Sequence, residues 1–576
     1  MNQTHLYIPR SPSGRQRAAL GLPALLLAGA VLAASAATDM YQPRVTPGGI
    51  SPQPQITGFV KQGTNATLSW YGLEGGYDVL MTPTLVPGQW APVGLSSPLA
   101  TTYSNQVKIE GLTGNQNFLR LRPINNYVGS AVCGSCHSDT RAAWQQTAHA
   151  GAYNSISNLP PNVLKNCLVC HTVGYGWPSG FVNITNTPRM AGVGCENCHG
   201  PGAAHVYGTH SLVQPAMTIA SQTCGGCHDG AMDPTYTEWT NSPHVAVTPD
   251  VASGLNDTPS GQSRMMSCGP CHSGAVRAAM LQNYAYTQLG YITTSNAITL
   301  PTGADARLYG QTCVVCHDPH ATNSAPYQLR NPLTSTNFFS WSTSLAAATN
   351  RFGQLINLNF NNQYKTNIQM CAQCHNARGA QWTDTSRAPH GSLQYNMLLG
   401  DVGAIGTNLA PYQPSTHARF FTNQCVDCHM QTSAFQSEAQ PANTGHEFEV
   451  LSYAICVQCH GPSASNLVVF AKNFFLPAQT AQVVSALNYW AATKAPPGFY
   501  AKYGNRAWEY TNPGSLSSGG SGPTTAEQAL IPANIKKARF NVYLANNDPA
   551  SGIHNPSYVI NLCNAAVNFV QQEFNP

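Results

Sequence analysis

The sequence predicts a mixed fold: a small N-terminal β-sandwich, then a loop-rich, mainly helical region that ends in longer helices. Three observations predict it. Residues 51–123 contain neither cysteine nor histidine and show short alternating apolar runs. From Cys133 onward, 18 of the 19 cysteines recur as close pairs, each followed by a histidine. Beyond residue 465 the apolar spacing becomes helical. Glycine (50) and proline (41) are plentiful and charged residues make up 9% of the 576, so something other than a conventional apolar core must hold the middle of the chain.

Residues 1–36 read as a secretory signal. Arg10, Arg15 and Arg17 form a basic n-region, an apolar run spans Ala18 to Ala34, and Ala34-Ser35-Ala36 offers small residues for cleavage. Pro23 and Gly29 interrupt a run already short for a bilayer span. No later segment reaches membrane-spanning length. The expected mature chain is therefore secreted, periplasmic or extracellular at the cell surface, with no transmembrane segment. Without residues 1–36 it carries 24 basic against 23 acidic residues. That balance argues against a nucleic-acid partner.

Residues 37–50 read as a linker and 51–124 as the sandwich. Its runs are Gln55–Val60, Thr67–Tyr71, Tyr77–Met81, Gln106–Ile109 and Phe118–Leu121, with turns at Gly75-Gly76 and Pro87-Gly88. The segment resembles fibronectin type III or immunoglobulin domains, with Trp70 as a core candidate.

Residues 125–465 carry Cys-x-x-Cys-His nine times. Numbered 1 to 9, the motifs are Cys133/Cys136/His137, Cys167/Cys170/His171, Cys195/Cys198/His199, Cys224/Cys227/His228, Cys268/Cys271/His272, Cys313/Cys316/His317, Cys371/Cys374/His375, Cys425/Cys428/His429 and Cys456/Cys459/His460. This is the pattern of c-type haem attachment: two thiols bond the two vinyl groups of one porphyrin, and the next residue ligates the iron. Zinc would not require a histidine beside every pair. The expectation is nine covalently bound c-type haems. The motifs are spaced by about 40 residues, a length at which a chain rarely builds its own core. The haems should therefore lie close together and form much of the core.

Of the 19 histidines, nine are proximal and His5 is in the signal. Nine remain as candidates for the sixth iron position: His149, His205, His210, His244, His320, His390, His417, His446 and His554. The match in number points to bis-histidine ligation, which closes the iron and leaves it to carry electrons. Trp144-x-x-Thr147-x-His149, Trp239-x-x-Ser242-x-His244 and Tyr412-x-x-Ser415-x-His417 share one form, in which the hydroxyl starts a helical turn or bonds the imidazole. His320 is too near Cys316-His317 to cap its own iron and should serve a neighbour. Met430 reads as packing rather than ligand.

Residues 466–576 read as a helical segment docked on the haem region. Helical spacing covers Gln479–Ala492, Ile535–Ala545 and Pro556–Glu573, with Pro556 at the first helical position and a loop at Ser515–Thr525. Cys563 reads as a buried core thiol. His554, just before the last helix, would clamp the tail back onto a haem.

Several stretches resemble known multihaem cytochromes. Gly192-Val-Gly-Cys195-Glu-Asn-Cys198-His199-Gly-Pro-Gly-Ala-Ala-His205, with Trp144…His149, resembles the cytochrome c-554 family, which implies His149 and His205 as distal ligands. Cys313–His320 resembles the doubled Cys-x-x-Cys-His cytochromes of extracellular electron transfer. Cys425-Val-Asp-Cys428-His429-Met430 and His554-Asn-Pro resemble parts of the pentahaem nitrite reductases. The Cys-x-x-Cys-Lys motif usual for the catalytic haem of those reductases is missing here, which lowers the enzyme reading. Hydroxylamine oxidoreductases cross-link a tyrosine to the catalytic haem, and this chain has 25 tyrosines.

The expected function is electron transfer through a chain of mostly bis-histidine haems, with other redox proteins or an extracellular acceptor as partners. Assembly into an oligomer or filament stays open. The alternative is an oxidoreductase acting on nitrite, hydroxylamine or a sulfur oxyanion at one open haem.

Overall fold

The structure, a computed structural model, describes residues 55–71, 77–82, 91–92, 106–109, 112, 118–123, 127–281, 299–330 and 368–575, apart from short stretches inside the last three (178, 203–204, 207–217, 323–325, 373, 376–381, 383–387, 401, 406–412, 422 and 517–518). The expected signal and linker, the turns at Gly75-Gly76 and Pro87-Gly88, His210 and Tyr412 lie outside these residues, as does the side chain of Trp70.

The N-terminal strands extend the expected runs. They are β1 Gln55–Gln62, β2 Asn65–Tyr71, β3 Tyr77–Thr82, β4 Ala91–Pro92, β5 Gln106–Ile109 and β6 Phe118–Pro123. They form two three-stranded antiparallel sheets, ordered β1-β2-β5 and β4-β3-β6. The β1–β2 hairpin turns at Gly63, whose φ of 63° suits a residue without Cβ. Alternation puts Ala66 and Leu68 on one face of β2, where they bury with Ile109 and Leu112; Met81 of β3 and Leu119 of β6 pack against them. Strand β4, only two residues long, is too short to show a period in sequence.

After residue 127 the chain is helical and loop-rich. Short helices carry the motifs, among them Ser130–Cys133, Pro161–His171, Cys195–His199, Pro259–His272, Cys425–His429 and Ala454–His460. Proline fits the first turn of two of them because its missing N–H would be unpaired there. Between motifs the buried apolar groups are small, such as Tyr127, Ile156, Leu168, Val173, Phe181 and Met190.

The large core lies in the C-terminal segment. Helices Leu476–Thr493, Ala533–Asn547 and Pro556–Gln572 match the expected spans within a few residues. Val483, Leu487 and Trp490 fall on one face and bury against Ile535, Phe540, Leu544, Leu562 and Phe569. Each such side chain contributes about 1.5–3 kcal/mol on burial. Cys563 sits in this core, 2% exposed. Pro556 stands in the first turn, capped by Asn555, whose side chain accepts from Tyr558 N.

Polar contacts tie this core to the chain before motif 8. Asn541 Oδ1 accepts from Ala404 N at 2.8 Å, and Tyr558 Oη donates to Val402 O at 2.6 Å. Asn555 Nδ2 donates to Gln413 O at 2.8 Å. These bonds seat His417 and His554 beside the motifs. Among the described residues no helix is long and apolar enough to cross a membrane.

Candidate haem-binding site

One helical turn explains the motif spacing. Cysteines three apart share a helix face, and the fourth residue closes the turn. His137, His228, His317 and His375 each donate their N–H to the carbonyl of the first cysteine of their motif, at 2.9–3.0 Å.

The structure brings seven motif histidines and seven of the spare ones together in pairs of neighbouring rings. His228 lies 6.0 Å from His149 between ring centres, and His199 lies 5.9 Å from His320. His375 is 6.3 Å from His244, His272 is 6.1 Å from His390, and His317 is 6.3 Å from His446. His460 is 6.1 Å from His417, and His429 is 6.4 Å from His554. Two imidazoles on opposite sides of one metal ion, at ordinary bond lengths of about 2 Å, would have centres roughly 6.3 Å apart. The donor set therefore fits a bis-histidine iron seven times over. Among the described residues His137 and His171 show no such contact.

Second-sphere bonds orient the rings. Nδ1 of His171, His317, His429 and His417 lies 2.7–3.0 Å from a backbone carbonyl, of Ala152, Tyr327, Phe448 and Ile553 in turn. His390 Nδ1 meets Ser392 Oγ at 3.0 Å. Such bonds fix the tautomer and leave Nε2 for a metal. Two rings meet carboxylates instead: His228 Nδ1 is 2.7 Å from Asp233, and His554 Nδ1 is 2.6 Å from Asp548.

Burial sets the protonation of the rings. It lowers His317, His320, His375, His429 and His446, and His149 too with help from His228 and His317. His244 falls to about 4 through burial and the neighbouring His375. A neutral imidazole is the form that binds metal. His228 rises through its bond to Asp233. Burial works against His554, but the charge and hydrogen bond of Asp548 outweigh it.

Motif cysteines meet across the sequence. Hydrogen-bonding sulfur pairs join Cys133 to Cys195, Cys170 to Cys227, Cys224 to Cys313, Cys271 to Cys374 and Cys371 to Cys425. Cys316 is close enough to Cys371, and Cys428 to Cys456, for each pair to interact electrostatically. Motifs 1, 3, 4, 6, 7, 8 and 9 thus form a continuous line, in which Cys198 of motif 3 neighbours Cys224 and Cys227 of motif 4. Motif 2 joins at 4 and motif 5 at 7.

The Trp-x-x-hydroxyl-x-His segments are built alike. Trp144 Nε1 donates to Val193 O at 3.1 Å, and Val193 N donates to His149 O at 2.9 Å. Trp239 Nε1 donates to Gln311 O at 2.9 Å, and Gln311 N donates to His244 O at 2.8 Å. Gly192 and Gly310 precede the contacts, and a Cβ at either would stand 2.4 Å from Ala150 O or His244 O. Ser130 and Ser221, three residues before motifs 1 and 4, each accept at 3.1 Å from the first cysteine of motifs 3 and 6. The hydroxyls bond backbone, not imidazole: Thr147 and Ser242 donate to the tryptophan carbonyls, and Ser415 accepts from Ala418 N. The stretches Ser130-x-x-Cys-Gly-x-Cys-His and Ser221-x-x-Cys-Gly-x-Cys-His carried the signal of this repeat.

Two buried glutamates complete the frame, and nothing in the sequence singled them out. Glu196 accepts from Val128 N, Gly129 N and Gly202 N at 2.7–2.9 Å, tying motif 3 to the approach of motif 1. Glu238 accepts from Thr444 N at 2.9 Å, Thr444 Oγ1 at 2.7 Å and His446 N at 2.8 Å.

The cytochrome c554 and c-prime family matches residues 132–200 and 370–461. Cytochrome c-554 of Nitrosomonas europaea is 35% identical over 109 residues, covering 16% of this chain and 44% of that protein. The C-type polyheme cytochrome OmcC of Geobacter sulfurreducens is 25% identical over 328 residues, covering 49% of this chain and 37% of that protein. The chain thus spans less than half the length of either curated relative. The crystal structure of the outer cell wall cytochrome OcwA aligns with 77% of this chain and 100% of its own, at 18% identity and a TM-score of 0.47.

Proposed function

We propose that this multihaem c-type cytochrome, with covalently bound c-type haem, is a secreted nine-haem electron conduit, periplasmic or at the cell surface. The observation that carries the reading is the line of neighbouring motif sulfurs from motif 1 to motif 9, hydrogen-bonded at three of its six junctions and near enough to interact electrostatically at the other three. Carriers attached to neighbouring sulfurs are close enough to exchange electrons. The haems supply the one-electron chemistry; the chain holds them, closes their irons and sets the order.

In this reading the proximal ligands are the nine motif histidines. Motifs 3 to 9 take His320, His149, His390, His446, His244, His554 and His417 in turn as distal ligands. His205 and His210 serve motifs 1 and 2 by elimination. Closed irons favour transfer over substrate chemistry. Cys136 and Cys459 at the two ends of the line are exposed, as is Cys227 of motif 4, so redox partners would dock at any of these three points. The two N-terminal sheets are read as one small sandwich beside the haem region. Residues 125–465 are read as the haem domain, with 466–576 as the clamp that carries His554.

The test is haem content together with EPR of the oxidised holoprotein. Nine haems per chain, all low-spin, are expected. A high-spin iron that shifts on adding nitrite or hydroxylamine would overturn the conduit in favour of an oxidoreductase.

A further inference from the structure

We propose that Asp548 and Asp233 set the two lowest potentials along the conduit, at the irons of motifs 8 and 4. The proposal rests on the ligand assignment above. It starts from a contrast in what the imidazole Nδ1 atoms meet. His171, His317, His417 and His429 face backbone carbonyls, and His390 faces a serine hydroxyl. His554 and His228 face carboxylates at 2.6 and 2.7 Å. His320 is 4.0 Å from Asp318, beyond hydrogen-bond reach, and Asp318 pairs with Arg330 instead.

A carboxylate draws the Nδ1 proton toward itself and makes the ring a stronger donor through Nε2. That stabilises the ferric iron more than the ferrous. Reduction adds one electron to the iron and leaves the proton in the hydrogen bond, so the cost falls on the potential.

Asp548 is the stronger of the two. Its side chain is 1% exposed, against 39% for Asp233, so less water screens it. It is also fixed: Oδ1 accepts from Ala550 N at 3.1 Å while Oδ2 takes the ring. Asp233 is held by Thr235 Oγ1 at 2.5 Å. Motif 8 should therefore be the last to reduce and motif 4 the next.

The consequence is a profile with two uphill steps. Motifs 6 and 7 lie between motifs 4 and 8 on the line. An electron entering from either end would climb once, onto motif 4 or motif 8, to reach that pair and climb again to leave it.

The experiment is EPR-monitored potentiometry of the holoprotein, with haem content and low-spin fraction measured alongside. Asp548→Asn keeps the shape and an acceptor but removes the charge. It should move the last-reduced low-spin component up while all other components hold and haem content stays at the wild-type value. Asp548→Glu should restore the low value. Asp233→Asn should raise the second-last component. A fully loaded, fully low-spin Asp548→Asn protein with an unmoved last component overturns the proposal. If Asp548→Asn instead frees His554 and yields one high-spin iron, Asp233→Asn decides, because His228 is anchored by its own motif: an upward shift supports the tuning, and none overturns it. A wild-type protein short of haem or rich in high-spin iron would refute the ligand assignment itself, which the potentials do not measure.

Discussion

Glu238→Ala tests whether a carboxylate on the helix Thr235–Asn241 holds a distal ligand in place. Glu238 is 7% exposed and receives three hydrogen bonds from the Thr444–His446 loop. Bonds to a charged acceptor are typically worth about 1.5–3 kcal/mol each. The loop is only half-buried, so water recovers part of the loss, and about 1 kcal/mol per bond is the appropriate figure. The docked loop should then weaken by roughly 3 kcal/mol, about a hundredfold in its equilibrium. His446 faces His317 at 6.3 Å, so an outside ligand competing at that iron should gain the same factor. The assay is carbon monoxide binding to the reduced holoprotein. One haem should bind at about a hundredfold lower concentration than in the wild type. Glu238→Gln, which keeps one acceptor oxygen, should fall between the two. Unchanged binding in Glu238→Ala, with haem content intact, would refute the claim that this carboxylate positions His446.

Three further outcomes are expected. His244→Ala should leave the iron of motif 7 without its distal ligand, read as a high-spin EPR signal from one iron while the others stay low-spin. Trp490→Ala, at a side chain 1% exposed in the C-terminal core, should cost about 3–5 kcal/mol in chemical denaturation. Glu527 is held down to about 2 from its ordinary 4.5 by Lys502, then by the N–H of Thr524 and by Tyr503. A folded value below the unfolded one stabilises above pH 4.5 and loses that stability as pH falls toward 2. Glu527→Gln should therefore lower thermal stability at neutral pH, modestly because its partner Lys502 is exposed, and flatten the acid limb so that the two proteins converge as pH falls toward 2.

What could be read from the sequence was what is local. The Cys-x-x-Cys-His turns, the helices around Leu487, Phe540 and Leu562, and the burial of Cys563 each rest on residues within a few positions of one another. Strand β4 escaped because Ala91 and Pro92 carry no period. Thr147 and Ser242 were expected to cap a turn or bond a ring; Ser242 does cap the turn Pro243–Val245, accepting from His244 N at 3.2 Å, and both hydroxyls also donate to their own tryptophan carbonyls, near acceptors that a short hydroxyl can reach. Glu238 and Asp548 gave no signal because their partners lie in other loops or take shape only once the turn before the last helix has formed. A charge on a short helix reads as a solvated face until the loop that covers it is known.

The pairing of histidines was the least legible feature, and the structure gives a physical reason. His149, from the segment after motif 1, meets motif 4; His244, after motif 4, meets motif 7; His417, after motif 7, meets motif 9. These three reach forward to a later motif, while His320, His390, His446 and His554 reach back to motifs 3, 5, 6 and 8. None of these seven histidines meets the motif immediately preceding it; even His554 crosses motif 9 to reach motif 8. A unit of this size has too little apolar surface to fold alone, and sharing ligands makes each one's closure depend on another having formed. The arrangement that stabilises the chain is then the same one that makes the line of carriers continuous. A break in ligation at one motif should loosen the electron path at its junction with the unit that supplies its histidine, and leave motifs on the far side intact.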